Sequence, residues 1–215
     1  MIDGDRAKLE ESERRFRTLA EGSIQGIIVH DDGRPLFANQ AMADILGYAS
    51  PEDILRLASI DEYIHPDDLA RAQGLRRARL RGTGEAPSIV EYRCLRPDGK
   101  TIHLQALATE IEWGGRAAIQ AACLDITERV RTEQALRESG ASLAEAQRIA
   151  HIGNWEWDFA TNNLKWSDEV FRILGFEPGS LEPRQPDFEA LVAPEDIETR
   201  ADAWRDAFAR QGSYN

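Results

Sequence analysis

The fold of this 215-residue chain is decided by residues 26–48, GIIVHDDGRPLFANQAMADILGY. An apolar run at 26–30, a DDGR turn and a short run at 35–38 predict two antiparallel strands. Asn39 is placed to accept from the free amides of a following helix, and Gly47 is placed to end that helix. The stretch therefore predicts a strand–turn–strand–helix unit.

Toward the C terminus, Pro66 is typical of the first turn of a helix, which we expect to run to about residue 81. Three further strands are predicted at 88–96, 101–112 and 117–124, separated by glycine-containing turns. Consecutive antiparallel strands with helices on one face indicate an α+β fold.

The chain contains a long internal repeat. Ile45-Leu46-Gly47-Tyr48 returns as Ile173-Leu174-Gly175-Phe176, and His65-Pro66-Asp67-Asp68 returns as Ala193-Pro194-Glu195-Asp196, both at an offset of 128 residues. Leu9-Glu10-Glu11-Ser12 returns as Leu136-Arg137-Glu138-Ser139 at an offset of 127. Matches in order and at nearly constant spacing predict a tandem of one domain type.

Composition excludes several classes of protein. With 42% hydrophobic and 30% charged residues the chain is globular, and its net charge of −12 disfavours nucleic acid and anionic lipid as partners. No stretch approaches the ~18 apolar residues of a membrane span, and no signal peptide is recognisable, so we expect a cytoplasmic chain without a span. Cys94 and Cys123 lack metal or redox spacing.

No catalytic constellation is recognisable in the sequence. Glycines occur as turn residues rather than in a phosphate-binding loop, and no nucleophile–histidine arrangement can be traced. The residues by themselves therefore indicate no enzymatic activity.

Several motifs resemble those of PAS domains in bacterial sensor histidine kinases, diguanylate cyclases and phosphodiesterases. They are Phe37-Ala38-Asn39-Gln40-Ala41, Ile45-Leu46-Gly47-Tyr48, Ile64-His65-Pro66-Asp67-Asp68, Pro97-Asp98-Gly99-Lys100 and Asp125-Ile126-Thr127-Glu128-Arg129. The resemblance implies a PAS fold, with a five-stranded antiparallel sheet and helices on one face. It also implies a sensory role in a larger signalling protein. We therefore expect a regulatory fragment and not an enzyme, with the catalytic output downstream of residue 215.

The resemblance and the repeat together suggest the domain organisation. We expect an N-terminal amphipathic helix at 1–22, a first PAS domain at 23–127, a coiled-coil-like helical linker at 128–150 and an incomplete second PAS domain at 151–215. The second copy lacks counterparts of residues 88–126. We expect it to be rearranged, disordered or completed by another chain.

If the family register holds, alternate strand residues face the helical layer, and several of them are small. The predicted pocket residues are Ile28, His30, Tyr92, Cys94, Leu104, Ala106, Ala108, Ala121 and Cys123. A small-molecule ligand in a cavity is one interpretation. The other is that the long helix packs closer and fills the space.

The resemblance also bears on cofactors, whose identity stays unknown. Residues 56–63 contain no cysteine, which argues against flavin-cysteinyl photochemistry. Residues 71–81 contain no histidine to serve as an axial haem ligand, and His30 is the one inward candidate that remains. Haem is therefore not expected.

The segment after the last strand predicts the signalling mechanism. By resemblance, Asp125 and Thr127 couple the sheet to an output helix, and Asp125 and Glu128 have capping-box spacing. Leu136 and Leu143 lie one heptad apart, although Ser139-Gly140 interrupts the apolar seam. We expect a homodimer through the N-terminal and linker helices. A monomeric connector is the alternative for the linker, and a ligand-free dimerisation or spacer scaffold is the alternative for the whole chain.

Overall fold

The computed structural model describes residues 20–81, 86–158, 161, 163–184, 191–199 and 202. The chain divides into two compact units, residues 1–134 and 135–215, and each is described by itself. The predicted N-terminal helix of residues 1–22 lies outside the described residues, apart from its last three positions.

The first unit contains a five-stranded sheet in which all neighbouring strands are antiparallel. In chain order the strands are β1 Gly26–Asp31, β2 Arg34–Ala38, β3 Ile89–Leu95, β4 Thr101–Trp113 and β5 Arg116–Asp125. Across the sheet the order is β2-β1-β5-β4-β3, so β5 lies in the centre beside β1. The predicted α+β fold with a five-stranded antiparallel sheet is confirmed.

Two hairpins of the sheet close with two-residue turns. In the first, Asp32 and Gly33 have φ of 40° and 96°, and in the second Gly114 and Gly115 have φ of 60° and 79°. Two consecutive residues in the left-handed region give the turn whose twist matches that of the flanking strands. Asp-Gly and Gly-Gly adopt it at little cost.

The first unit also contains three α-helices and one 3₁₀ helix between β2 and β3. They are α1 Gln40–Leu46, α2 Pro51–Leu55, the 3₁₀ helix Ile60–Tyr63 and α3 Pro66–Leu80. The predicted ends of α1 are confirmed, because the Asn39 side chain accepts from the Met42 amide and Gly47 adopts φ of 79°. His65 likewise caps α3 by accepting from the Asp67 amide at 3.3 Å.

The core lies between these helices and the inward face of the sheet. Met42 and Leu46 of α1 and Ile54 of α2 are completely buried against it. Full burial of each such side chain stabilises the fold by roughly 1.5–3 kcal/mol. The amphipathic spacing of α1 thus fixes the helical layer over the sheet.

Asp68 ties the first turn of α3 to β3. Its carboxylate accepts from the Arg93 amide at 2.8 Å and from the Arg93 guanidinium at 3.1 and 3.0 Å. The hydrogen bonds from the Arg93 side chain, foremost, lower the pKa of Asp68 to about 2 although burial opposes the shift. Asp68 therefore stabilises the fold in its ionised form.

Replacing Asp68 with asparagine should lower the free energy of unfolding by about 1–2 kcal/mol at pH 7. The pKa of Asp68 is lower in the folded chain than in the unfolded chain. Its contribution to the free energy of unfolding is therefore complete above about pH 5 and is lost as the pH falls toward 2. Urea unfolding of the wild type and the variant from pH 2 to pH 7 measures it. A constant difference across that range would contradict the assignment, and Asp44→Asn, at an exposed position of α1, serves as the control.

The helix that follows β5 is α4, Thr127–Ala150, of 24 residues. Every residue from 131 to 146 is exposed, including Leu136 at 74% and Leu143 at 59%. Ser139-Gly140 does not interrupt this helix, because one glycine in a helix interior costs only about 1 kcal/mol.

The second unit begins within α4 and contains a small two-stranded sheet. The sheet consists of β6 Trp155–Asp158 and β7 Asn163–Trp166. The unit also contains α5 Asp168–Ile173 and a 3₁₀ helix, Pro194–Asp196. Leu164, Trp166, Val170 and Phe171 form its own apolar cluster. Trp166 and Phe171 pack edge to face with 5.4 Å between ring centroids.

The two units share one local hydrogen-bond arrangement. In the first, the Ile27 amide donates to the Asn39 side chain at 2.8 Å and the Asn39 amide donates back to the Ile27 carbonyl at 3.1 Å. In the second, the Asn154 amide donates to the Ser167 hydroxyl at 3.0 Å and the Ser167 amide donates to the Asn154 carbonyl at 2.8 Å. That the second unit is a truncated copy stays a prediction, and residues 203–215, which include the point near 213–215 where its third strand would begin, lie outside the described residues.

Candidate functional site: an apolar cavity and the start of the output helix

A cavity of about 60 Å³ lies between the inward face of the sheet and the helical layer. All nine residues predicted from strand alternation line it, namely Ile28, His30, Tyr92, Cys94, Leu104, Ala106, Ala108, Ala121 and Cys123. The structure therefore brings the predicted set together. That a ligand occupies the cavity stays a prediction.

Small side chains on two central strands create the space. Ala108 of β4 pairs with Ala121 of β5, and Ala106 pairs with Cys123 in the next inward row. Larger residues at these four positions would fill the volume between sheet and helices. The cavity is small beside the ~150 Å³ cavity that admits benzene, so an occupant of the present cavity is limited to a few heavy atoms.

Further residues beyond the predicted set complete the cavity wall. They are Met42, Ile60, Tyr63, Ile64, Ala72, Arg76, Arg79, Val90 and Ile119. Ala72, Arg76 and Arg79 are spaced four and three residues apart on α3, which places them on one helical face. The repeat gave one sign that position 76 faces inward. At the offset of 128 residues Arg76 corresponds to Trp204, a large aromatic residue.

Arg76 is the more deeply buried of the two arginines that line the cavity, with 9% of its side chain exposed. Its terminal nitrogens donate to the Asp61 carboxylate at 2.9 and 3.2 Å. Asp61 also accepts from Gln73 at 2.7 Å. Burial raises the pKa of Asp61, but the hydrogen bonds from Arg76 and Gln73 outweigh this effect and the pKa is lowered. The pair is therefore ionised at neutral pH.

His30 is a buried neutral side chain of the same wall. Its Nδ1 accepts from the Gly33 amide at 3.4 Å. Burial, foremost, and the nearby Arg76 lower its pKa to about 4. His30 is therefore uncharged at neutral pH, and its Nδ1 is engaged by the β1–β2 turn.

The two cysteines are buried free thiols in this wall. Burial raises the pKa of Cys123 to about 12, and burial followed by the neighbouring Cys123 raises that of Cys94. Since the thiolate is the reactive form, both behave as small apolar side chains at neutral pH. They shape the cavity rather than supply a nucleophile.

The predicted relay residues lie where β5 passes into α4. The Asp125 carboxylate accepts from the Thr127 amide at 2.9 Å and from the Thr127 hydroxyl. The same hydroxyl accepts from the His103 amide of β4 at 2.9 Å. Asp125 and Thr127 thus fasten the first turn of α4 to the centre of the sheet.

The predicted capping box with Glu128 is not formed. The helix begins at Thr127, so Glu128 is its second residue and is too early to reach back to the cap. Glu128 is exposed, and among the described residues Asp125 is bonded to Thr127 instead. A local turn therefore replaces the capping box.

Arg96 extends the relay to the helical layer. Its Nε donates to the Ile45 carbonyl near the end of α1 at 2.8 Å, and a terminal nitrogen donates to Asp125 at 3.1 Å. Arg96 and Asp125 form an ion pair that is about three-quarters buried. A continuous chain of polar contacts therefore runs from α1 through Asp125 to α4.

Metal and membrane features are not found in the described part of the chain. Within those ranges, no group of three histidine, cysteine or acidic residues is arranged to hold a metal ion. No described helix is both long and apolar enough to cross a membrane.

Curated relatives of this chain are sensor and kinase proteins. The chain is 29% identical over 175 residues to the methyl sulfide methyltransferase-associated sensor of Methanosarcina acetivorans, covering 80% of this chain and 17% of that protein. It is 25% identical over 149 residues to sporulation kinase A of Bacillus subtilis, covering 68% of this chain and 24% of that protein. The chain thus spans about a sixth and a quarter of the lengths of these relatives.

Solved structures and a family model complete the comparison. The PAS domain of an HTR-like protein from Haloarcula marismortui is 26% identical, with a TM-score of 0.46, covering 58% of this chain and 99% of that one. A sensory box histidine kinase/response regulator from Burkholderia thailandensis is also 26% identical, with a TM-score of 0.46, covering 61% and 98%. The model of the PAS fold matches residues 14–126, more than half of the chain. The chain therefore belongs to the PAS family.

Proposed function

We propose that this chain is a sensory input module whose first unit binds a small molecule and passes the signal to α4. The observation that carries the proposal is the cavity of about 60 Å³ in the core. Protein interiors are close-packed, with few voids larger than a water molecule, so a cavity lined by small side chains on two paired strands is a candidate ligand site.

The contacts between β5 and α4 support a relay. A ligand that binds one arrangement of the sheet more tightly shifts the population of that arrangement. Asp125 and Thr127 connect the central strands to the first turn of α4, so a shift of β5 changes the position or stability of that turn.

The names of the relatives support a role within a larger signalling protein. One relative is named a sensor and the other a kinase. We propose that this chain supplies the input and that a separate catalytic domain supplies the output.

A ligand-free dimerisation scaffold is the second candidate function. It is favoured by α4, on which Leu136 and Leu143 lie one heptad apart and are exposed at 74% and 59%. Exposed leucines at heptad spacing are typical of a coiled-coil seam, and the partner would be a second copy of this chain.

Native mass spectrometry and an absorbance scan of the purified chain distinguish the two candidates. A co-purified small molecule, seen as a mass lost on denaturation or as an absorption band, would support sensing. A dimer whose mass equals twice that of the chain, and which gains no mass with added small molecules, would support the scaffold.

Replacing Leu143 with glutamate should shift the chain from dimer to monomer and weaken association at least about tenfold, because two buried charges would face each other in the seam. Sedimentation velocity over a concentration series measures the change. Ala141→Glu is the matched control, since it adds the same charge two residues away and off the seam. Equal association of the two variants would contradict a dimer through α4.

A further inference from the structure

Arg76 has one side-chain donor that makes no hydrogen bond in the described structure, although it forms an ion pair with Asp32. Its two terminal nitrogens bind Asp61, but its Nε is buried and makes no hydrogen bond. The nearest carboxylate oxygen is that of Asp32, 3.4 Å away and outside hydrogen-bond geometry. A buried N–H without an acceptor is costly, and in native proteins it calls for an acceptor that the protein itself does not supply.

The donor belongs to a side chain that lines the cavity. Only 9% of the Arg76 side chain is exposed, and Arg76 shares the cavity wall with His30, Tyr63 and Ala72. The part of the wall formed by β4 and β5 includes Ala106 and Ala108 of β4 and Ala121 and the neutral thiol Cys123 of β5. The cavity therefore has an apolar body and one end that offers a hydrogen-bond donor.

Charge at this end is already balanced. Arg76 and Arg79 lie in the wall, and the carboxylates of Asp61 and Asp32 lie next to Arg76. An anionic ligand would place a third negative charge beside two carboxylates in a poorly solvated site, which is unfavourable. A neutral ligand leaves the balance unchanged.

We infer that the cavity ligand is a small neutral molecule with an acceptor oxygen, a ketone, aldehyde or amide of about four or five heavy atoms, held by the Nε–H of Arg76. This inference rests on the proposed function, because it names the ligand class of the same cavity. Its apolar part contacts Ala106, Ala108 and Ala121, and its oxygen completes the hydrogen bonding of the guanidinium.

Three probes of nearly equal size test this inference on the full chain: acetone, acetate and isobutene. They present, respectively, a neutral acceptor, an anionic acceptor and no acceptor. Titrations followed by NMR should show that acetone binds at least about tenfold more tightly than either of the others, the discrimination expected for one hydrogen bond to a charged donor. Acetone should also shift the Nε–H resonance of Arg76 in a saturable way, which isobutene should not do.

Two variants separate the donor from general effects on the fold. Arg76→Met keeps much of the side-chain length and removes the donor, and it should abolish the preference for acetone over isobutene. Arg77→Met, at the adjacent exposed position of α3, should keep that preference. The comparison of probes in the wild type stands even if Arg76→Met fails to fold.

Isobutene binding as tightly as acetone, with no shift of the Arg76 resonance, would overturn the inference while leaving a ligand-binding cavity. Tighter binding of acetate would overturn the neutral class. Failure of all three probes to bind would overturn this inference and the ligand-binding role together.

Discussion

Replacing Asn39 with alanine should lower the free energy of unfolding of the first unit by about 3–5 kcal/mol, because its side chain is fully buried and makes four hydrogen bonds. Its oxygen accepts from the amides of Ile27 and Met42 at 2.8 and 3.0 Å. Its nitrogen donates to the carbonyls of Ala20 and Gln25 at 2.7 and 3.0 Å. The substitution leaves four backbone groups of three segments without this partner.

Hydrogen exchange of the amides of β1 and β5 measures the effect, and these amides should exchange about a hundredfold or more faster in Asn39→Ala. Gln40→Ala is the matched control, since Gln40 is the exposed next residue and its loss should cost less than about 1 kcal/mol. Asn39→Asp keeps the oxygen that accepts both amides but replaces the donor nitrogen with an oxygen facing the carbonyls of Ala20 and Gln25, so it should also be strongly destabilising. Exchange rates for Asn39→Ala close to those of Gln40→Ala would contradict the assignment.

The sheet and the inward residues could be predicted because they depend on local patterns. The Asp32-Gly33 and Gly114-Gly115 turns set the hairpins, and strand alternation then decides which side chains face the helices. Asn39 and Gly47 mark the ends of α1 by side-chain and backbone chemistry that acts within a few residues. These features do not depend on how distant segments meet.

The polar groups at both ends of the site escaped prediction for the opposite reason. Arg76 looks in the sequence like an ordinary surface arginine, since charged residues are seldom buried, and the partners of Arg96 are not evident from strand alternation. Each is placed by distant partners: Asp61 lies 15 residues from Arg76, and Ile45 lies 51 residues from Arg96. Such pairings follow from the tertiary packing of α1 and α3 on the sheet, which no local pattern encodes.

Replacing Asp125 with alanine should loosen the start of α4 while leaving the sheet folded. The variant loses the bonds from the Thr127 amide and hydroxyl and from Arg96. Loss of a capping interaction costs about 0.5–2 kcal/mol, and the partly exposed ion pair with Arg96 adds at most about 1 kcal/mol. The amides of the first two turns of α4 should therefore exchange about tenfold faster, while those of β1 and β5 should change much less.

The difference between the change in hydrogen-exchange rate in α4 and that in the sheet distinguishes a coupling residue from one that only stabilises the fold. A residue that only stabilises the first unit would raise exchange in β5 and α4 alike when it is removed, as expected for Asn39. Asp98→Ala is the matched control, because it removes an exposed aspartate whose partner is Lys100 in the β3–β4 hairpin, and it should leave α4 unchanged.

Thr127→Val removes the hydroxyl that links Asp125 to His103, and it should reproduce much of the effect. If α4 in Asp125→Ala exchanged at the rate seen in Asp98→Ala, the first turn of α4 would be held by packing of Ile126 instead, and the relay through Asp125 would be refuted.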